Sequence, residues 1–269
     1  MSLSEKTDVS LSVVLYRDYK SPLEMIESLR GVVAPGLRIR LYAVDNSDLS
    51  NNDPLCMARE AFCEKVASFG FVEYVDVRGN LGFGAANNLA LMRSDAEYHV
   101  FVNPDVIFFE DALSELKGFM DANPDCGMCI PRMTDEGGVM QEVYRREVTV
   151  LDAFNRMFLK NALKKRNGWH CMRGEDYARP FQVPFGQGSF LFGRAVLLKE
   201  LGGFDDRYFM YLEDADLCKR VNAVSKLLYC PDATVVHKWE RGSHKDINLL
   251  KHHLRSYALY FRKWGLRIA

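Results

Sequence analysis

Val9 to Tyr16 (VSLSVVLY) is the stretch that most restricts what this chain can become. A strand with one wet face alternates apolar and polar residues. This run is continuous and rich in β-branched residues, the pattern of a strand covered on both faces. Pro22 to Val33 follows with helical spacing through Leu23, Ile26 and Leu29 and ends near Gly36, and Arg38 to Val44 gives a second strand that stops at Asp45-Asn46-Ser47. Strand, helix and strand in this order predict the opening of an α/β fold with an open, mostly parallel, Rossmann-like sheet flanked by helices. Such sheets bind ligands at the carboxyl ends of their strands. Asp45 stands at such an end, as either a ligand-binding acid or an Asx-turn residue capping the next helix.

A helix from about Asp53 to Phe69 leads to a third strand, Phe71 to Val77, and then to the glycine-rich stretch Arg78 to Asn88. Gly82 and Gly84 would let backbone approach a ligand, and Ala85 onward begins a helix whose N-terminus favours phosphate. A dinucleotide fingerprint is disfavoured. Its glycines would follow the first strand, and the acid at the right distance, Asp105, lies beyond Pro104. The strand Tyr98 to Val102 ends in Asn103-Pro104-Asp105, where Pro104 stops the ladder and leaves Asp105 projecting from the sheet edge. A carboxylate there suits a hard divalent cation bridging a substrate diphosphate, or else caps the helix around Glu110 to Met120.

From Arg132 to Val183 the chain is polar and irregular, with a helical segment Thr149 to Leu163 and a basic stretch, Lys164-Lys165-Arg166, read as a solvated helix end. An insertion of this size above a sheet often forms a substrate-specific wall. Strand character returns over Gly186 to Val196, with Gly188 and Ser189 at its start. Next comes GGFDDRYFMYLEDADLCKR, Gly202 to Arg220, where four aromatics crowd five acids in a turn that runs into a helix. Free N–H groups and the helix dipole at a first turn hold a carboxylate ionised, so Asp214 is either a base at neutral pH or a cap. Short strands Lys226 to Tyr229 and Ala233 to Val236 flank Pro231, and the second ends at His237, a metal ligand or a hydrogen-bonded surface residue close to Trp239 and Arg241. The tail from Asn248 to Trp264 is amphipathic, with Leu250, Leu254, Tyr257, Phe261 and Trp264 on one face and Lys251, Arg255, Arg262 and Lys263 supplying charge. It either lies on an anionic bilayer or packs on the domain.

Composition narrows the class further. The 269 residues, 48% hydrophobic, suffice for a full core, and a formal charge of −1 argues against a general nucleic-acid binder. No run of about 18 apolar residues suggests a membrane span. The first residues, MSLSEKTDVS, lack a signal peptide's basic and apolar regions, so a cytoplasmic protein is expected. Seven scattered cysteines suit a reducing compartment, and the lone Cys126/Cys129 pair reads as buried strand thiols rather than zinc ligands.

VDNS (Val44 to Ser47), NLGFGAANN (Asn80 to Asn88), NPD (Asn103 to Asp105), the Gly202 to Arg220 stretch, VVHKWERGS (Val235 to Ser243) and HLRSYALYFRKWG (His253 to Gly265) occur in that order. Together they make the chain resemble a family 2 glycosyltransferase of the GT-A fold, and more narrowly the bacterial rhamnosyltransferase branch that builds O-antigen and related polysaccharides. The resemblance runs from about Ser10 to Gly265. It implies a GT-A domain over residues 1–245, with a nucleotide-sugar half at about 9–105 and an acceptor half at about 106–245, followed by an amphipathic helix at 246–269.

By that resemblance Asp45 binds the nucleotide base, and Tyr16, Asn80, Gly82, Gly84, Asn87, Asn103 and Asp105 line the nucleotide-sugar pocket. Asp105 and His237 hold a divalent cation, Mg²⁺ or Mn²⁺. Asp214 is the base of an inverting single displacement, and Gly188, Glu213, Trp239 and Arg241 stand on the acceptor side; Ser243 shares a branch pattern with Arg241. The implied donor is dTDP-L-rhamnose or a UDP-sugar, the acceptor a saccharide or polyprenyl-linked saccharide, with peripheral contact at the inner face of the cytoplasmic membrane. Asn103 replaces the first Asp of a strict DxD motif, and Arg17 stands where many members carry Asn. Competing readings are a catalytically silent nucleotide-sugar-binding protein and a sugar-1-phosphate nucleotidyltransferase. The latter normally has a glycine-rich loop after the first strand, where this chain has YRDYKSP.

Overall fold

The computed structural model describes residues 6–157, 159, 162–239 and 247–269. In chain order the elements are β1 (Val9–Leu15), α1 (Lys20–Val32), β2 (Ile39–Asp45), α2 (Cys56–Ala67), β3 (Val72–Asp76), α3 (Phe83–Arg93), β4 (Tyr98–Val102), β5 (Val106–Ile107), α4 (Ala112–Ala122) and β6 (Cys126–Thr134). They continue with β7 (Tyr144–Arg145), α5 (Val150–Met157), α6 (Lys164–His170), β8 (Phe185–Gly186), β9 (Phe190–Arg194), α7 (Ala195–Glu200), α8 (Glu213–Val224), β10 (Lys226–His237) and α9 (Ile247–Trp264).

Eight strands form one sheet in the order β3-β2-β1-β4-β9-β6-β10-β5, and β7 and β8 form a small second sheet. β1, β2, β3 and β4 run parallel. β9 runs antiparallel to both β4 and β6, which keeps β6 and its parallel neighbour β10 in the direction of β4. The carboxyl ends of β2, β4 and β10 therefore share one edge.

β1 is buried along its whole length, as its composition predicts. Val9, Leu11, Val13 and Leu15 pack into the larger core with Met25, Ile26 and Leu29 of α1 and Phe62 and Val66 of α2. Val14 joins Val44, Val75, Ala86 and Ala90 on the face under α3, the period-2 outcome of an extended chain. On that second face Ser10 and Ser12 meet buried His99, at 2.7 Å from its Nδ1 and 3.2 Å from its Nε2. The polar positions of β1 thus close on one another inside the core.

Several elements differ from the sequence expectation. The two short strands around Pro231 are one strand, β10, whose register against β6 shifts between Cys230 and Thr234, so that the proline sits in a bulge. Lys164-Lys165-Arg166 opens α6 instead of ending a helix, and Arg166 pairs with the buried Asp152 at 2.7 Å. Asp111, not Asp105, caps α4, accepting from Ser114 N at 3.2 Å. Cys126 and Cys129 are both buried in β6, where the register against β10 is irregular between Cys126 and Met128.

Candidate functional site

The Asn103-Pro104-Asp105 turn at the end of β4 does not leave the sheet. β5 follows it at once and pairs antiparallel with the end of β10, setting Val106 opposite His237. Asp105 is thereby tucked inward, its Oδ1 lying 3.3 Å from His237 Nε2. His237 is buried, not a surface residue. Gln141 orients it twice: Gln141 Nε2 donates to the His237 carbonyl at 2.6 Å, and Gln141 Oε1 lies 2.8 Å from Nδ1. That oxygen calls for a proton on Nδ1, so a neutral imidazole turns a lone pair toward the Asp105 carboxylate. Two such lone pairs need a proton or a cation between them, and the second-neighbour hydrogen bond is the one metal-binding histidines ordinarily carry. Among the described residues no group of three or more His, Cys, Asp or Glu converges on a metal position. A cation here would complete its shell with substrate oxygens and water, which suits Mg²⁺ or Mn²⁺. Trp239, with a left-handed φ of 52°, stacks its ring against His237 at 5.8 Å.

The second acidic position is joined to the first through the backbone. Asn103 N donates to Ser189 O at 2.9 Å, and the preceding Gly188 donates its N–H to Asp214 Oδ2 at 2.9 Å. Asp214 Oδ1 accepts from Ala215 N at 2.8 Å. A Cβ on Gly188 would stand 3.1 Å from the Asp214 Cβ, so the glycine allows the acid to sit directly on the strand end. Burial raises the Asp214 pKa from its ordinary value, against the opposing pull of the two N–H groups and of Arg145 and Arg156. The helix-terminus effect expected to hold it ionised is thus outweighed by desolvation, a shift in the direction that strengthens a base. Beside it Glu213 is buried with Oε2 unpartnered, and burial together with the Asp214 charge pushes its pKa far up.

The turn that launches α8 is strained. Tyr211 and Leu212 both have left-handed φ, 72° and 66°. α9 holds it down: Tyr211 stacks on His253 at 3.5 Å, Phe209 stacks on His252 at 4.6 Å, and Ser256 Oγ donates to Met210 O at 2.8 Å. Lys263 reaches both Asp205 and the fully buried Asp216 at 2.7 Å, and Trp264 Nε1 donates to Asp216 at 2.8 Å. Tyr257, Phe261 and Trp264 therefore pack on the domain, while Leu250, Leu254, Lys251 and Arg255 remain exposed.

At the β1–β3 end of the edge, Asp45 is buried and its carboxylate engaged. Oδ2 accepts from Tyr19 at 2.8 Å and Tyr74 at 2.6 Å, and Oδ1 accepts from Ser47 N at 3.0 Å in an Asx-type turn. Tyr16 is half exposed at the end of β1. Asn80 accepts from Asn46 Nδ2 and Gly82 N, both at 3.0 Å. Asn87 is fully buried under α3, receiving Ser12 Oγ at 2.6 Å and donating to Phe83 O at 3.0 Å, so its side chain faces β1 instead of a groove.

The glycines answer to the chain itself. A Cβ on Gly82, whose φ is 88°, would overlap the Phe209 carbonyl, and one on Gly84 would lie 2.9 Å from the Phe204 Cβ. Asn88 completes this docking, with its Nδ2 donating to Phe204 O and its Oδ1 accepting from Phe204 N, both at 2.8 Å. The two motifs are thus complementary surfaces, and Gly82 and Gly84 are required at least for packing against the acidic loop. Arg241 and Ser243 lie outside the described residues. Asn46, Tyr19, Tyr74, Asn88, Gln141, Arg145 and Arg156 were not singled out from sequence. Only Asn46 and Asn88 carried a signal, standing inside motifs already marked.

An acid-lined carboxyl edge on this mixed sheet is the GT-A architecture. The structure of GalNAc-T7 with UDP, GalNAc and Mn²⁺ superposes with a TM-score of 0.64 at 14% identity, over 95% of this chain and 49% of that one. Residues 10–202 match Glycosyl transferase family 2, and the chain belongs to that family. It is 29% identical over 202 residues to an N-acetylglucosaminyl-diphospho-decaprenol L-rhamnosyltransferase of Mycobacterium tuberculosis, covering 69% of this chain and 66% of that protein. It is 27% identical over 195 residues to the rhamnosyltransferase WbbL of Escherichia coli, covering 70% of each. The chain thus aligns with just under two thirds of the mycobacterial protein's length.

Proposed function

We propose that this chain is an inverting glycosyltransferase that moves L-rhamnose from dTDP-L-rhamnose to a saccharide carried on a polyprenyl diphosphate. The observation that carries the reading is the backbone bridge from Asn103 through Ser189 and Gly188 to Asp214. It sets an acid suited to a donor diphosphate and an acid suited to proton removal on one strand edge. The rhamnosyltransferase relatives support the sugar, and the mycobacterial protein's diphospho-decaprenol substrate supports the acceptor class.

In this reading Asp45, with Tyr19, Tyr74 and Tyr16, forms the base-binding end, and Asn103 and Asp105 face the diphosphate. Asp105 and His237 would hold a divalent cation, which when bound would supply charge neutralisation for the leaving nucleoside diphosphate. Asp214, gripped through both oxygens, accepts the proton of the acceptor hydroxyl as that oxygen forms its bond to the anomeric carbon. The anomeric C–O bond breaks toward the diphosphate, which departs with the electron pair, and one displacement inverts the centre. Glu213 and Trp239 face the acceptor. No helix among the described residues is long and apolar enough to cross a membrane. The exposed Leu250, Lys251, Leu254 and Arg255 of α9 support peripheral contact with an anionic cytoplasmic leaflet.

A thermal-shift series with dTDP-rhamnose, UDP-sugars and GDP-mannose, each with and without Mg²⁺ or Mn²⁺, tests the donor, followed by transfer to a short-chain prenyl-diphosphate N-acetylglucosamine. The expected result is metal-dependent stabilisation by dTDP-rhamnose and a rhamnosylated product. Stabilisation by another nucleotide sugar replaces the donor assignment. Donor binding without transfer would favour the silent binding protein.

A further inference from the structure

We propose that Arg145 and Arg156 form an anion seat beside Asp214 that takes the phosphate groups of a prenyl-diphosphate acceptor. The proposal rests on the acceptor class inferred above and adds the residues that read it. Arg145 lies on β7, opposite Phe185 of β8, and its guanidinium stands 5.8 Å from the Phe185 ring. Nη2 donates to Gln187 Oε1 at a long 3.3 Å. Gln187 is followed directly by Gly188, whose N–H holds Asp214, so the guanidinium is tied to the residue next to the acid's own support. Arg156 is exposed on α5 and within electrostatic reach of Arg145, Asp214, Tyr211 and Tyr257.

The contrast with neighbouring arginines carries the argument. Arg146 pairs with Glu175 at 2.9 Å, Arg166 with Asp152 at 2.7 Å, and Arg173 with Glu142. Among the described residues Arg145 and Arg156 form no ion pair, although both act on the same carboxylate, Asp214. Balancing Asp214 does not account for them. Burial and its neighbour's charge push the Glu213 pKa far up, so Asp214 is the carboxylate on which the two guanidiniums act, and neither is hydrogen-bonded or ion-paired to it. Burial and the charge of Arg156 pull the Arg145 pKa below its ordinary value, a cost that a bound anion offsets. Guanidinium forks match phosphate oxygens in pairs. Tyr211 and Tyr257, both stacked with His253, supply an aromatic wall.

The test is calorimetric titration of the full chain with farnesyl diphosphate, farnesol and dTDP plus Mg²⁺. Farnesyl diphosphate should bind and farnesol should not. Arg156→Gln, an exposed change that spares the fold, should weaken farnesyl diphosphate about tenfold or more and leave dTDP unchanged, with Arg156→Lys recovering part of the loss. Arg145→Lys should act in the same direction. In transfer assays the same variants should raise KM for the prenyl-diphosphate acceptor more than they lower kcat. Unaltered farnesyl diphosphate affinity in both variants, or its absence in the wild type, overturns the seat. Weakened dTDP binding instead assigns these arginines to the donor diphosphate and overturns it equally. Arginine-dependent farnesyl diphosphate binding without transfer from any nucleotide sugar leaves the seat standing and removes the functional reading beneath it.

Discussion

At the β1–β3 end of the strand edge, polar groups are closed upon one another: Asp45 by two tyrosines and a backbone N–H, Asn80 by Asn46 and Gly82, Asn87 by Ser12. At the α8 end they are not. Glu213 Oε2 and Ser189 Oγ have no partner among the described residues, and two guanidiniums stand without carboxylates. Buried unsatisfied groups cost stability, so a chain keeps them where a ligand completes them. In the proposed reading the first end is a preformed cradle, whereas the second is finished only by what binds.

The sharpest way to break that contrast is at Asp214. Asp214→Asn keeps the size and one acceptor oxygen but removes the proton acceptor, so kcat should fall by about 10²–10⁴-fold with donor affinity retained. The wild-type rate should also fall as the pH drops through the raised Asp214 pKa, with the acid limb shifted upward from that of an ordinary aspartate. A variant turning over at near-normal rate would assign the proton transfer elsewhere. Steady-state kinetics against pH decides it.

The joint between the two ends is the next target. Gly82→Ala places a Cβ on the Phe209 carbonyl at a φ of 88°, so both overpacking and backbone strain oppose it. A loss of about 3 kcal/mol in denaturant unfolding is expected. Unchanged stability would mean that the glycine motif and the acidic loop are not packed as described.

Acid should weaken the two ends together. His99 lies in the core beneath α3, and burial lowers its pKa to about 3; His170 lies by the Arg166–Asp152 pair, and burial lowers its pKa to about 4. Both folded values are below the unfolded value of 6.5. The unfolded chain therefore takes up protons first, and stability is intact above that pH and declines below it. At pH 5 the loss is about 2 kcal/mol for each histidine, before depressed carboxylates such as Asp152 begin to contribute near their own unfolded pKa of 3.8. Melting temperatures at pH 7.5 and 5 measure the sum, and His99→Gln should flatten the slope by its share.

How much of this was legible depended on sequence distance. β1, β2, β3 and β4 were read within a residue or two because each sits in a local β-α-β pattern of apolar periodicity. Asp45, Asp105, Asp214 and His237 stood out because they terminate such elements. Arg145 and Arg156 did not, since their meaning arises from the β7–β8 pairing and the packing of α5 across a polar insertion, which no local spacing encodes. The NLGFGAANN glycines stand out in the sequence, but their packing partner does not, because the segment that packs against them lies some 120 residues away.

The smallest effect is expected within the cradle. Tyr74→Phe removes the 2.6 Å bond to Asp45 Oδ2 and leaves those from Tyr19 and Ser47 in place. Because the carboxylate retains a partner on each oxygen, the loss should be about 1 kcal/mol in stability and no more than a few-fold in donor KM. Tyr19→Phe should match it, the two hydroxyls sharing one oxygen. The pair together should cost more than the sum, since Oδ2 then has neither phenol and a buried charge is left half solvated. Strict additivity in the double-mutant cycle would mean that water reaches Asp45 freely, making this end as open as the α8 end and removing the distinction between them.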